Sequence, residues 1–103
     1  MTITELSKKL KSKTPPTVID TRSGMEYRMG HIPGALHLPL WRILLRLTGK
    51  LPKDKATQLV LYCESGARAQ LAGSMLIKQG YRMVGYLDGD LPAWRRAGLA
   101  LEK

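Results

Sequence analysis

The sequence predicts an α/β fold, a central and mostly parallel β-sheet flanked by helices on both faces. Two patterns and one size argument predict it. Short apolar runs alternate along the chain with segments of helical periodicity, as in parallel strands joined by helical crossovers. The runs Thr17-Val18-Ile19 and Leu59-Val60-Leu61 are apolar with little polar interruption, the pattern of buried strands. A chain of 103 residues, 44% hydrophobic and 24% charged, has the size and composition of one globular domain with one core. Residues 1–103 are therefore expected to form a single domain.

Each element has a local cause. Thr2 and Glu5 match a capping box, and Ile3, Leu6 and Leu10 follow at helical spacing. That helix should end near Lys11, ahead of Pro15-Pro16. A strand from Thr17 ends at Asp20. Ser23 and Glu26 repeat the capping box and open a short helix through Met29, stopped by Gly30. Gly30-His31-Ile32-Pro33-Gly34 is a turn, Ala35 to Leu38 a second strand, and Pro39 its end. Trp41 to Leu47 is expected to be helical, and Leu51-Pro52-Lys53-Asp54 connects it onward. Gln58 to Tyr62 is the clearest strand. Ala69 to Gln79 is the clearest helix, with Leu71, Ala72, Met75, Leu76 and Gln79 on one side and Gly80 after it. Met83 to Leu87 gives a further strand, and Asp88-Gly89-Asp90 turns into a last helix around Pro92 to Ala97.

The net charge of +9 invites a nucleic-acid reading, which its location disfavours. Lys8, Lys9, Lys11 and Lys13 outweigh Glu5. Arg42, Arg46, Lys50, Lys53 and Lys55 outweigh Asp54, and Arg95, Arg96 and Lys103 outweigh Glu102. Between these three segments the charges balance. Solvated helix faces explain this pattern, and no nucleic-acid-binding motif accompanies it. The single cysteine excludes an intramolecular disulfide framework and a multi-cysteine zinc site. No run approaches the ~20 apolar residues of a membrane span, no apolar signal segment opens the chain, and a helix of about two turns at Trp41–Leu47 is too short to anchor it. The expected location is a reducing cytoplasm.

In a parallel sheet the working site lies beyond the carboxyl ends of the strands. That rule selects the positions after Asp20, Tyr62 and Leu87, and only the second carries a nucleophile. There the strand runs into Cys63-Glu64-Ser65-Gly66-Ala67-Arg68, and a helix follows. Gly66 lets the loop curl so that its backbone N–H groups converge as an anion nest at a helix N-terminus, worth about half a positive charge. Arg68 should close the ring with a guanidinium whose fork matches a tetrahedral oxyanion. These features stabilise a thiolate at Cys63 together with an incoming anion. A buried cysteine acting as a small hydrophobe is the bland alternative, and the strand-end position followed by Gly and Arg disfavours it.

The chain resembles the rhodanese-like sulfurtransferases in five segments taken in order. These are Ile19-Asp20-Thr21-Arg22 with Glu26-Tyr27, Gly30 through Ala35, Tyr62-Cys63 through Arg68, Leu87-Asp88-Gly89, and Ala93-Trp94 through Ala97-Gly98-Leu99. The resemblance implies a three-layer fold and a ping-pong sulfur transfer. Cys63 would take the sulfane sulfur of thiosulfate or another small anionic donor as a persulfide, then pass it to cyanide or a thiol. Loop residues Glu64, Ser65, Gly66, Ala67 and Arg68 would bind substrate, with no metal and no cofactor. Related phosphatases carry a loop one residue longer, so the loop length here implies the sulfurtransferase form. A rhodanese-like binding or sulfur-relay module with low turnover is the second reading.

Around this centre the resemblance assigns Asp20 and Arg22 supporting roles. Asp20 is expected to bond an arginine or the backbone, and Arg22 to pair with Glu26 or another acid. His31 should fix its turn, Trp94 should belong to the core, and Trp41 fits either the core or the mouth of the site. Two positions depart from the family pattern. Glu64 places a carboxylate beside the nucleophile, which should disfavour a dianionic donor and leave thiosulfate a poor one. Asp90 stands where many relatives have a second glycine. The expected partners are the small donor and acceptor and an acidic sulfur-relay protein, steered by the basic exterior.

Overall fold

A computed structural model describes all 103 residues. The elements follow in the order α1 (Ile3–Lys9), β1 (Thr17–Asp20), α2 (Gly24–Met29), β2 (Leu36–His37), α3 (Leu40–Leu44), β3 (Leu59–Tyr62), α4 (Ala67–Lys78), β4 (Val84–Tyr86) and α5 (Asp90–Arg96). The four strands form one parallel sheet in the order β2-β1-β3-β4. Both predicted capping boxes form. The Thr2 and Ser23 hydroxyls accept from the N–H groups of Glu5 and Glu26, whose carboxylates reach back to the cap N–H groups.

Strand alternation divides the core in two. Ile19, Leu59 and Leu61 face Ile43 of α3 and Ala69, Ala72 and Leu76 of α4. Val18, Val60 and Tyr62 face Leu6 of α1 and Leu91 and Trp94 of α5. Successive strand residues thus point to opposite faces, and helices cover both. Each fully buried leucine in these layers contributes roughly 1.5–3 kcal/mol, which makes the two clusters the main source of cohesion. On the first face α4 lies tightly against β4. A Cβ at Gly73 would overlap the Tyr86 ring, so only glycine permits this approach.

The sheet order places the site. The chain leaves β1 for β2 on one side and returns to its other side for β3, so the order reverses between β1 and β3. Asp20 and Tyr62 are partners in register at that reversal, and Cys63 is the next residue beyond it. The crevice outside the carboxyl ends at such a reversal is where open α/β sheets bind ligands.

Several boundaries differ from expectation. The third helix starts at Leu40, capped by Pro39, and ends at Leu44 because Arg46 turns left-handed at φ 59°. The major helix begins two residues early, at Ala67, because Gly66 at φ 93° supplies its N-cap. Arg68 therefore lies in the first turn of α4. The last helix begins at Asp90, after Gly89 at φ 79°. No helix is long and apolar enough to cross a membrane.

Candidate active site

Cys63 is fully buried as a residue and leaves β3 with its backbone held on both sides. Its N–H donates to Asp90 Oδ1 at 2.9 Å, and its carbonyl accepts from the Leu91 N–H at 3.1 Å. Its sulfur accepts from the Gly66 N–H at 2.9 Å. A donor aimed at sulfur stabilises a thiolate there, and the left-handed Gly66 is what turns it inward. The first N–H groups of α4 have no carbonyl before them in the helix and add positive potential at the same end.

Beneath the loop lies a buried ionic cluster. Arg22 Nη2 pairs with Asp20 Oδ2 at 2.8 Å, its Nε donates to both Asp20 oxygens, and Nη2 also donates to the Gly30 carbonyl at 2.6 Å. The Tyr62 hydroxyl donates to Asp20 Oδ2 at 2.7 Å and accepts from the Ile32 N–H at 3.1 Å. Burial, followed by the nearby Asp20 charge, drives the Tyr62 hydroxyl far above the usual tyrosine range, so it acts only as a neutral donor. Burial alone would lower the affinity of Arg22 for its proton, but the Asp20 hydrogen bonds and charge outweigh it and raise that affinity. Asp20 thus bonds both an arginine and the backbone, since it also accepts from the Arg22 N–H at 2.9 Å.

One expectation about the charged groups is met and two are corrected. Of the acids open to Arg22, Asp20 and Glu64 are its partners, Glu64 at 3.0 Å from Nη1, and Glu26 is not. Glu64 in turn accepts two bonds from Arg95 of α5, both at 3.0 Å, so its charge is matched by two guanidinium groups. It is therefore not an unopposed negative charge beside the sulfur. The Arg68 fork, expected to close an anion cradle, is occupied by Glu26 at 2.7 and 3.0 Å. That pair, made chiefly by the Arg68 hydrogen bond, holds the Glu26 carboxyl down to about 2 and raises the Arg68 guanidinium.

The remaining residues fall into place around this centre. Thr21, Arg22, Ser23, Pro39, Leu40, Trp41, Leu44 and Arg68 line a cleft of 270 Å³ beside the end of the loop, and half-exposed Trp41 forms part of its wall. His31 is buried in its turn, with Nδ1 on the Tyr27 carbonyl at 2.9 Å and its ring stacked on Tyr27 at 3.7 Å. Tyr27 also stacks on His37, whose Nε2 lies 2.8 Å from the Arg22 carbonyl. Trp94 belongs to the core. Ser65 and Ala67 complete the loop between Glu64 and Arg68. Tyr62 and Arg95 were not recognisable as site residues from the sequence, because a strand-end tyrosine and a helical arginine carry no local signal. Asp90 had one, its place beside Gly89.

Known proteins share the sequence pattern and the fold. The family model described as Rhodanese-like domain matches residues 2–97. A sulfurtransferase from Allochromatium vinosum is 40% identical over 96 residues, covering 93% of this chain and 87% of that protein. The crystal structure of a thiosulfate sulfurtransferase from Pseudomonas aeruginosa superposes with a TM-score of 0.88 at 28% identity, over 100% of this chain and 19% of that one. The Alr3790 protein from Anabaena gives a TM-score of 0.87 at 27% identity, over 99% of this chain and 80% of that one. Some longer curated relatives are spanned only in part, from 24% to 51% of their length.

Proposed function

The chain belongs to the rhodanese-like domain family, and from that premise we propose that it is a sulfurtransferase working through a persulfide on Cys63. The observation that carries this reading is the Gly66 N–H directed at the Cys63 sulfur, at the carboxyl edge of β3 and the start of α4. In the first half-reaction the Cys63 thiolate attacks the outer sulfur of a sulfane donor. A sulfur–sulfur bond forms to Cys63 as the donor's own bond to that sulfur breaks, and the bonding pair leaves with sulfite or the equivalent anion. In the second, cyanide or an acceptor thiolate takes the outer sulfur and Cys63 returns as a thiolate. Both halves conserve charge, and neither needs a metal or an organic cofactor.

The backbone N–H groups of the loop stabilise the anionic sulfur as charge moves onto it. Glu64, Ser65 and Ala67 shape the loop. Arg68 and Arg22 brace the loop through Glu26 and Glu64, while Asp20 holds the buried Arg22 and Tyr62 holds Asp20. Activity assays with thiosulfate, an arenethiosulfonate and a small-molecule persulfide as donors, and cyanide or a thiol as acceptor, test the reading. Turnover by the wild-type protein and its loss in Cys63→Ala are expected. Absence of turnover with every pair would favour a binding or relay module, for which a thiol-bearing protein is the acceptor.

A further inference from the structure

We infer that Asp90 is the specificity-determining residue of this site, disfavouring dianionic sulfur donors relative to singly charged ones through a carboxylate held against Cys63. This rests on the sulfurtransferase reading and names the donor class it selects.

Three observations converge on Asp90. Its backbone is left-handed at φ 54°, a conformation uncommon outside glycine, although aspartate tolerates it better than most residues. Its Oδ1 accepts the Cys63 N–H at 2.9 Å, so the nucleophile's own backbone donor is committed to a carboxylate and is withheld from substrate. Its Oδ2 lies 3.0 Å from where a Cβ of Gly66 would stand, which places the other oxygen under the glycine that donates to the sulfur. The carboxylate therefore spans the two residues that define the cradle. It also borders a cleft of 290 Å³ with Gly66, Ala69, Gln70 and Gly89. Its surroundings make it an active rather than a neutralised charge. Glu64, the other acid of the loop, is matched by Arg22 and Arg95, whereas no arginine, lysine or histidine pairs with Asp90. Burial raises its carboxyl above the ordinary range, while the Cys63 N–H and thiol pull it back.

A fixed negative charge at this point repels a donor of charge two more strongly than one of charge one. The proton count of the reaction is unaffected, because the residue acts on the approach and binding of the donor. The discriminating pair is thiosulfate and an arenethiosulfonate, a dianion and a monoanion that both deliver a sulfane sulfur.

Asp90→Asn keeps an oxygen for the Cys63 N–H, suits the left-handed backbone and removes the charge. Asp90→Gly removes strain and charge together. With cyanide as the fixed acceptor, each variant is expected to raise kcat/KM for thiosulfate about tenfold and that for the arenethiosulfonate about threefold. The thiosulfate-to-arenethiosulfonate ratio then rises about threefold. A ratio unchanged from wild type in both variants would overturn the assignment, even if stability or both rates fell, since that is the mark of a residue that only supports the loop. If the wild-type protein turns over neither of these donors nor a small-molecule persulfide, the sulfurtransferase reading fails instead; turnover of the persulfide alone, with neither variant gaining thiosulfate activity, would overturn the assignment of Asp90.

Discussion

Arg68 in the first turn of α4 donates two hydrogen bonds to Glu26 of α2, at 2.7 and 3.0 Å, and so links two helices that open on the same edge of the sheet. Glu26 Oε1 also accepts from the Ser23 N–H and hydroxyl, so one carboxylate closes the capping box and holds the arginine. An exposed arginine presented to an incoming anion would be a different device. Here the cation is pinned to protein, and the direct stabilisation of anionic sulfur comes from backbone N–H groups.

This pair sets a pH-dependent contribution to stability. The folded Glu26 carboxyl lies near 2 against an ordinary 4.5, so its stabilisation is present above about 4.5 and is lost as pH falls from there towards 2. The group is partly exposed, and solvent screening reduces its contribution to about 1 kcal/mol. Glu26→Gln should therefore be less stable than wild type by about that amount at pH 7 in urea unfolding, with the difference closing as pH approaches 2. An equal difference at both pH values would show that the charge is not responsible.

The Asp20–Arg22 pair is a different case because both side chains are almost wholly buried, at 0% and 1% exposure. Removing one partner leaves an uncompensated charge, so Arg22→Met should cost about 3–5 kcal/mol in chemical denaturation. Asp20→Leu with Arg22→Met should be markedly less destabilised than the sum of the two single changes. Additive losses would mean that the two groups are held independently by their backbone contacts.

Gly66 combines three demands, a left-handed backbone, an N–H aimed at sulfur, and no Cβ beside Asp90. Gly66→Ala is expected to fold with a loss of about 1–2 kcal/mol and to lower kcat/KM for sulfane donors by at least about tenfold. Wild-type kcat/KM in a folded variant would show that neither the strain-free left-handed turn nor the space beside Asp90 matters to the reaction.

Much of the architecture was legible locally. Capping boxes, apolar runs and the glycines after helices place every element within a few residues, because each signal acts over one or two turns of chain. The nucleophile was legible for the same reason, since a strand, Cys63, Gly66 and a helix are contiguous. The charge partners were not. Arg68 finds Glu26 across 42 positions, and Glu64 finds Arg95 across 31, so only the packing of α2 and α5 against the loop decides them. That is why the sequence alone pointed to Glu64 as the opposing charge, while the fold neutralises Glu64 and leaves Asp90 against Cys63.

A persulfide on Cys63 is read straight from the intact mass of the protein after exposure to thiosulfate, an arenethiosulfonate and a small-molecule persulfide in parallel. A mass gain of one sulfur atom, about 32 Da, is expected on Cys63, removed by cyanide and absent from Cys63→Ala. A wild-type protein that gains no sulfur from any of these donors would contradict it.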